Sequence, residues 1–229
     1  MRNKALGTLF LAFGVAAIPA LGGSALHFRI ADPLGRNTVQ FRTTAPLEDI
    51  VGTTNQIEGT ITVDPETLRS TSTTGAFSVD LSALRTGISL RDSHMREHYL
   101  QTSEYPKASF VLQRIKKSSA SKLTPNETVQ LVAEGTFELH GVKRKVEVPI
   151  EITYLPESNS TMSKLPGNLL RVKANFEVRL SDYQIQRPKM VLLKVGEVAH
   201  VSLEAFASDA NPAKMSMWLE KMKKMMASD

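Results

Sequence analysis

Residues 131–152 read LVAEGTFELHGVKRKVEVPIEI, and the spacing of their apolar side chains decides the fold class. Leu131, Ala133, Gly135, Phe137 and Leu139 alternate with Val132, Glu134, Thr136 and Glu138. Beyond His140-Gly141, where strand gives way to turn, Val146, Val148, Ile150 and Ile152 alternate with Glu147, Pro149 and Glu151. Successive side chains of an extended chain point to opposite faces, so this period of two marks two strands, each with one apolar face.

The same period extends in both directions. Val39 and Phe41; Ile57, Gly59, Ile61 and Val63; Phe77, Val79 and Leu81; and Phe110 with Leu112 each fall on one side of an extended run. So do Leu170, Val172, Ala174, Phe176, Val178 and Leu180, and then Val201, Leu203 and Ala205. Turn sequences such as Asp64-Pro65, Thr124-Pro125-Asn126 and Pro166-Gly167-Asn168 separate them, which gives about eight strands and an all-β chain. Long antiparallel strands with one apolar face need that face covered, by a second sheet in a sandwich or by closure of one sheet into a barrel. Alternation is the same in either case and leaves both open. An eight-stranded barrel is in turn filled by its own side chains or holds a single small ligand.

Composition narrows the function classes. The 229-residue chain has no cysteine, which removes disulfides, thiolate nucleophiles and cysteine-ligated metal sites. Its formal net charge of +5 is carried by its ends: Arg2 and Lys4 at one, and Lys214, Lys221, Lys223 and Lys224 against Glu220 and Asp229 at the other. The stretch between is close to neutral, so nucleic acid is not an indicated partner. At the N-terminus, MRNK precedes an apolar run from Ala5 to Ile18, then Pro19 and small residues. That is the make-up of an export leader. Residues 1–25 are read as a signal peptide cleaved near Ala25, and the mature protein as periplasmic or secreted.

One segment breaks the alternation. Ser89 to Gln101 has helical spacing and reads as a short helix between strands. Within it His94-Met95-Arg96-Glu97-His98 matches H-x-x-E-H, which places two histidines at i and i+4 on one helical face, as zinc peptidases do. A metal-dependent hydrolase using His94, Glu97 and His98 is therefore the competing reading. It lacks a third ligand on a downstream helix, because everything up to the tail reads as strand. The plainer alternative is a polar helix whose histidines hydrogen-bond to neighbours. No G-x-S-x-G elbow and no Gly-rich phosphate loop is present. His140 and His200, the latter on the polar face of the last strand, read as structural.

The C-terminal residues 211–229 form an amphipathic helix in this reading. Asn211 and Pro212 suit its N-cap and first turn. Met215, Trp218 or Leu219, Met222, and Met225 or Met226 make an apolar stripe, with lysines on other faces. The stripe lies on an anionic membrane surface or a partner, or else the helix packs on its own barrel or frays in solution.

Three motifs in order carry a resemblance: Arg91-Asp92-Ser93-His94-Met95-Arg96, then Tyr105-Pro106-Lys107-Ala108-Ser109-Phe110, then Gly135 through Val146 with the His140-Gly141-Val142 turn. The chain resembles the YceI-like family over roughly Phe28 to Ser208, within a domain taken as 26–210. The resemblance implies an extended, eight-stranded antiparallel lipocalin-like barrel in the bacterial periplasm. It implies a polyisoprenoid lipid of quinone or prenyl-phosphate type in an apolar lumen, carried or sequestered without enzymatic activity and without a cofactor. A ligand-free barrel acting as an interaction module is the further alternative. The lumen is expected to be lined by Phe41, Ile61, Phe77, Val79, Phe110, Phe137, Val148, Val172, Phe176 and Leu203, with Gly59, Gly135 and Ala174 leaving room for a chain. Arg91, His94, Met95 and Tyr99 are expected at the mouth. The oligomeric state is left open, a homodimer among the options.

The chain also departs from the family pattern. Asp32-Pro33-Leu34-Gly35-Arg36-Asn37 lacks the usual histidine, and Ala45 to Gly52 replaces a histidine-bearing segment. Arg179 to Pro188 replaces an aromatic–Gly pattern. All three departures are expected to shape the mouth.

Overall fold

The computed structural model describes residues 25–44, 48–68, 73–187 and 195–227. The expected leader lies, apart from Ala25, outside them. The strands are β1 (Leu26–Ile30), β2 (Thr38–Thr44), β3 (Asp49–Thr54), β4 (Ile57–Val63), β5 (Thr74–Asp80), β6 (Lys107–Ser118), β7 (Thr128–Leu139), β8 (Val142–Leu155), β9 (Leu169–Arg179) and β10 (Val198–Ser208). Three helices join them: α1 (Ser89–His94), α2 (Asn159–Met162) and α3 (Pro212–Met226). Among the described residues no helix is long and apolar enough to cross a membrane.

Every pairing is antiparallel. Strands run in the order β1-β4-β5-β6-β7-β8-β9-β10, and β1 returns to β10 through Arg29–Ser208, which closes a barrel of eight strands. Closure thus decides between barrel and sandwich. The eight are not the eight marked by alternation, however. β1 is a strand that the pattern had not marked, and it is the closing one. β2 instead forms a hairpin with β3 that lies along the other half of β10, from His200–Arg42 to Glu204–Thr38.

Local chemistry explains several joints. His140 (φ 52°) and Gly141 (φ 74°) both take positive φ in the two-residue loop between β7 and β8, the type I′ geometry whose twist matches that of the flanking strands. β6 carries irregularities between Leu112 and Arg114 and between Ile115 and Lys117. Bulges of this kind bend a strand, as a closed barrel requires.

The lower end of the barrel is filled. Phe28, Ile30, Leu123, Val129, Ala205 and Ala207 are buried there in one core with Leu68. Leu123 reaches it from the polar Lys116–Asn126 segment, tied down by its amide donating to the Pro65 carbonyl at 2.7 Å. A second core lies on the outer wall at this same end, where Trp218 of α3 packs with Leu165, Leu169, Leu155 and Phe206. Trp218 Nε1 donates to the Met162 carbonyl at 2.7 Å. Asn211 caps the helix, its Oδ1 accepting from the Lys214 amide at 2.9 Å. The stripe lies on the barrel: Met215, Trp218, Leu219 and Met222 face the wall, and Met217 and Met226 are exposed.

One expected mouth segment is elsewhere. The Asp32–Arg36 loop folds on itself, with Asp32 accepting from the Leu34 amide at 3.0 Å and pairing with Arg36 Nε at 2.9 Å. Arg36 then donates to the Lys164 carbonyl and lies 5.6 Å from the centre of the Trp218 ring. This departure from the family pattern therefore meets the C-terminal helix, not the mouth. Burial opposes ionisation of Asp32, but the Arg36 guanidinium and the loop amides outweigh it and hold the carboxyl below its ordinary value.

Candidate functional site

The upper barrel is hollow. A cavity of about 560 Å³ runs from Leu68 and Thr73 near the filled end to a mouth framed by α1, the β2–β3 hairpin and residues 185–187, within the size range of small-molecule pockets. All ten residues expected in the lumen line it, and so do Arg91, His94, Met95 and Tyr99 at the mouth.

Register explains how the aromatic lining arises. Phe77 stands opposite Phe110, and Phe110 opposite Phe137, on three successive strands. Phe176 and Phe41 flank Val201 in the same way on β9, β10 and β2. Residues directly opposite in antiparallel strands share a face, so five phenylalanines encircle the lumen. Phe137 and Phe176 meet edge to face at 5.7 Å between ring centres.

Two of the glycines do not leave the room expected of them. A Cβ at Gly59 would stand 2.9 Å from Phe77 Cδ1, and one at Gly135 would stand 2.5 Å from Phe110 Cζ. Phenylalanine rings occupy that space, and the hollow lies inside the aromatic ring. Thr73 is the polar group out of place near the filled end: its hydroxyl is buried and has no hydrogen-bond partner among the described residues.

The mouth is built from the motif residues. Asp92 is buried at the start of α1, where its Oδ1 accepts from the Thr86 amide at 2.7 Å and the Thr86 hydroxyl at 2.6 Å. Burial opposes its ionisation, but the Thr86 donors, with Arg96 and Arg85 nearby, hold the carboxyl below its ordinary value. Arg91 Nε donates to the Thr86 hydroxyl at 2.9 Å, and its Nη1 reaches Glu48 Oε1 at 2.9 Å. Ile88 and Leu90 line the opening and are 50% and 67% exposed, so this end meets solvent.

Below α1 the helix widens into one π turn, Met95–Tyr99, with the Leu100 amide donating to the Met95 carbonyl at 2.8 Å. Met95, Tyr99 and Leu100 pack on the barrel core, while Glu97 and His98 are exposed. His94 faces the cavity and His98 does not, with 5.5 Å between their ring centres. Among the described residues no three His, Asp or Glu side chains converge as metal ligands. The H-x-x-E-H segment is thus divided, with His94, Met95 and Tyr99 turned to the cavity and Glu97 and His98 to solvent.

His140 of the third motif meets Tyr105 of the second and the end of the helical segment. Its Nδ1 lies 3.1 Å from the Tyr183 carbonyl oxygen, its Nε2 2.8 Å from Gln101 Oε1, and its ring 4.6 Å from that of Tyr105. A Cβ at Gly141 would strike the Tyr105 ring at 2.7 Å. Sequence reasoning missed Glu48, Thr86, Ile88, Leu90, Gln186 and Arg187 at the mouth. Only the departures at 45–52 and 179–188 pointed toward some of them.

Fold and site together define a hollow antiparallel β-barrel with an apolar lumen open at one end, the architecture of lipocalin-type binding proteins. The model of the YceI-like domain matches residues 31–207. The chain belongs to the YceI-like family. No curated protein matches it in sequence. A polyisoprenoid-binding domain from Saccharophagus degradans, implicated in plant cell wall breakdown, superposes with a TM-score of 0.60 at 14% identity, over 81% of this chain and 99% of that one. BcnA of Burkholderia cenocepacia gives 0.58 at 12% identity, over 78% and 100%. A mutant YceI protein of Campylobacter jejuni gives 0.50 at 14%, over 92% and 100%.

Proposed function

We propose that the protein binds one long-chain polyisoprenoid lipid, tail inward, and carries or sequesters it in the periplasm. The observation that carries this reading is the lumen itself: about 560 Å³ ringed by Phe41, Phe77, Phe110, Phe137 and Phe176, with the charged lining residues confined to one end. A prenyl tail is hydrocarbon with methyl branches, and each 100 Å² of it removed from water is worth about 2.5 kcal/mol. Ordering and association costs take back part of that, so a long tail is favoured over a short one. The polyisoprenoid-binding domain of S. degradans shares the fold and supports the choice of ligand class. The leader at 1–25 supports export. Peripheral contact with anionic membrane through Lys221, Lys224 and Met217 on the outer face of α3 belongs to the same reading.

The test is mass spectrometry of a solvent extract of the mature protein, purified from a bacterial periplasm without detergent. A near-stoichiometric isoprenoid is the expected result. An empty extract, with no uptake of added quinone or prenyl phosphate afterwards, would sink the proposal in favour of a ligand-free interaction module.

A further inference from the structure

The lumen is not uniform along its length. At the level of Phe77 and Phe110, rings take the space beside Gly59 and Gly135. Further down β5, away from the mouth, the wall opens at Gly75. This residue shares the inward face of the strand with Phe77 and Val79 and lines the cavity, opposite Ile61 of β4. A Cβ on Gly75 would find its nearest neighbours at 3.4 Å (Phe77 Cε2), 3.6 Å (Phe77 Cζ) and 3.7 Å (Leu112 Cβ). That is ordinary van der Waals contact, not the overlap met at Gly59 and Gly135. The missing side chain of Gly75 is therefore real space, a chamber below the ring of phenylalanines.

Leu68 closes this chamber. It lines the cavity, is only 3% exposed, and sits in the buried core with Leu123. Its amide donates to the Ser121 carbonyl at 2.9 Å, while the Leu123 amide donates back to the Pro65 carbonyl. The two loops thus brace each other beneath the lumen, and the floor is held in place.

We infer that Gly75 and Leu68 fix the length of tail that the lumen buries, Gly75 by withholding a side chain from the deep chamber and Leu68 by ending it. The inference rests on the lumen taking a lipid tail as proposed above. A methylene-sized group needs about 30 Å³, the share of a water molecule in its liquid, so about 560 Å³ holds roughly twenty carbons, or about four isoprene units. Further units stay at the mouth in contact with solvent. They add little to affinity, because only surface removed from water contributes.

The experiment is calorimetric titration of the delipidated mature protein with geraniol, farnesol, geranylgeraniol and hexaprenol, each delivered from cyclodextrin and corrected for that transfer. In wild type, affinity is expected to rise about tenfold or more at each step to geranylgeraniol, and then to change less than about threefold to hexaprenol. Gly75→Val puts a β-branched side chain, suited to a strand, into the chamber. It moves the break to farnesol: geranylgeraniol binds about tenfold or more weakly, farnesol as before, and the urea midpoint is unchanged or higher. Gly75→Ala shifts the series the same way in smaller measure. Leu68→Ala moves the break outward, toward hexaprenol; should loss of that core contact unfold the protein, the glycine variants decide. A continued steep rise from geranylgeraniol to hexaprenol in wild type overturns the inference. So does a Gly75→Val protein that loses affinity for every length alike, or for none. Each of these leaves the carrier reading intact, whereas binding of no prenol at any length overturns that reading and this inference with it.

Discussion

Phe110 occupies the space that a side chain at Gly135 would need, with its Cζ 2.5 Å from where that Cβ would stand. The two residues belong to neighbouring strands, so the glycine is a seat for the ring. The Val111 carbonyl oxygen lies as close, so Gly135→Ala forces both the Phe110 ring and the β6 backbone to shift. Overpacking of this kind costs about 1–3 kcal/mol, and the ring then takes up ligand space. The expected outcome is a lower denaturation midpoint together with weaker prenyl binding. Unchanged binding would show that Phe110 relaxes outward.

Trp218 ties α3 to the wall through Leu165, Leu169 and the Met162 carbonyl. Trp218→Ala empties that contact and leaves the carbonyl unpaired. A loss of about 3 kcal/mol or more is expected, read as a shift in the urea midpoint, with little change in lipid affinity because Trp218 does not line the cavity. Vesicle sedimentation of a chain ending at Ala210, compared with the full chain, tests the membrane contact separately: retention on anionic vesicles is expected to fall.

Glu134 sits on the outer face of β7 between Arg114 of β6, at 2.9 Å, and Lys145 of β8, at 2.8 Å. Hydrogen bonds from Arg114 and then Lys145 hold its carboxyl at about 2, against an ordinary 4.5. A carboxyl depressed in the folded state stabilises above its unfolded value and loses that contribution as pH falls through the folded one. Folding stability should therefore decline between pH 4.5 and pH 2 with a component that Glu134→Gln removes. Urea midpoints across that window check it; parallel curves for the two proteins would contradict it.

Thr73 brings into the apolar lumen a hydroxyl that has no partner among the described residues. Thr73→Val replaces that hydroxyl with a methyl group of the same shape. A gain of about 1 kcal/mol in stability is expected, with prenyl affinity equal or higher. Loss of affinity would mean that the hydroxyl contacts a polar group on the ligand.

Alternation made the lumen face legible because inward positions of a barrel strand repeat every second residue whatever the partner strand. It failed for β3, whose inward positions are Ile50, Gly52 and Thr54. Only one of these is large and apolar, since Phe41 from the next strand lies over Gly52. β1 does alternate, with Phe28 and Ile30 nearly fully buried, but it follows directly on the residues read as an export leader, and that reading obscures it. At the mouth, no local period relates Glu48 to Arg91 or to the Thr86–Asp92 pair. Such contacts are made by loops meeting across an opening. The π turn at Met95–Tyr99 is equally silent in sequence, because its residues still satisfy a helical spacing.

The Arg29–Ser208 pair has a consequence for the order of assembly. Among the described strands β1 is the first and β10 the last, so the wall is completed by a pairing between the two ends of the barrel sequence. Loop-closure entropy delays such contacts in folding. A chain emerging N-terminus first can pair β1 with β4 early, yet it holds an open sheet until its final strand arrives. Only then does an interior exist. Any molecule the lumen takes up therefore enters a finished vessel through its mouth, or is enclosed at the moment the last strand shuts the seam.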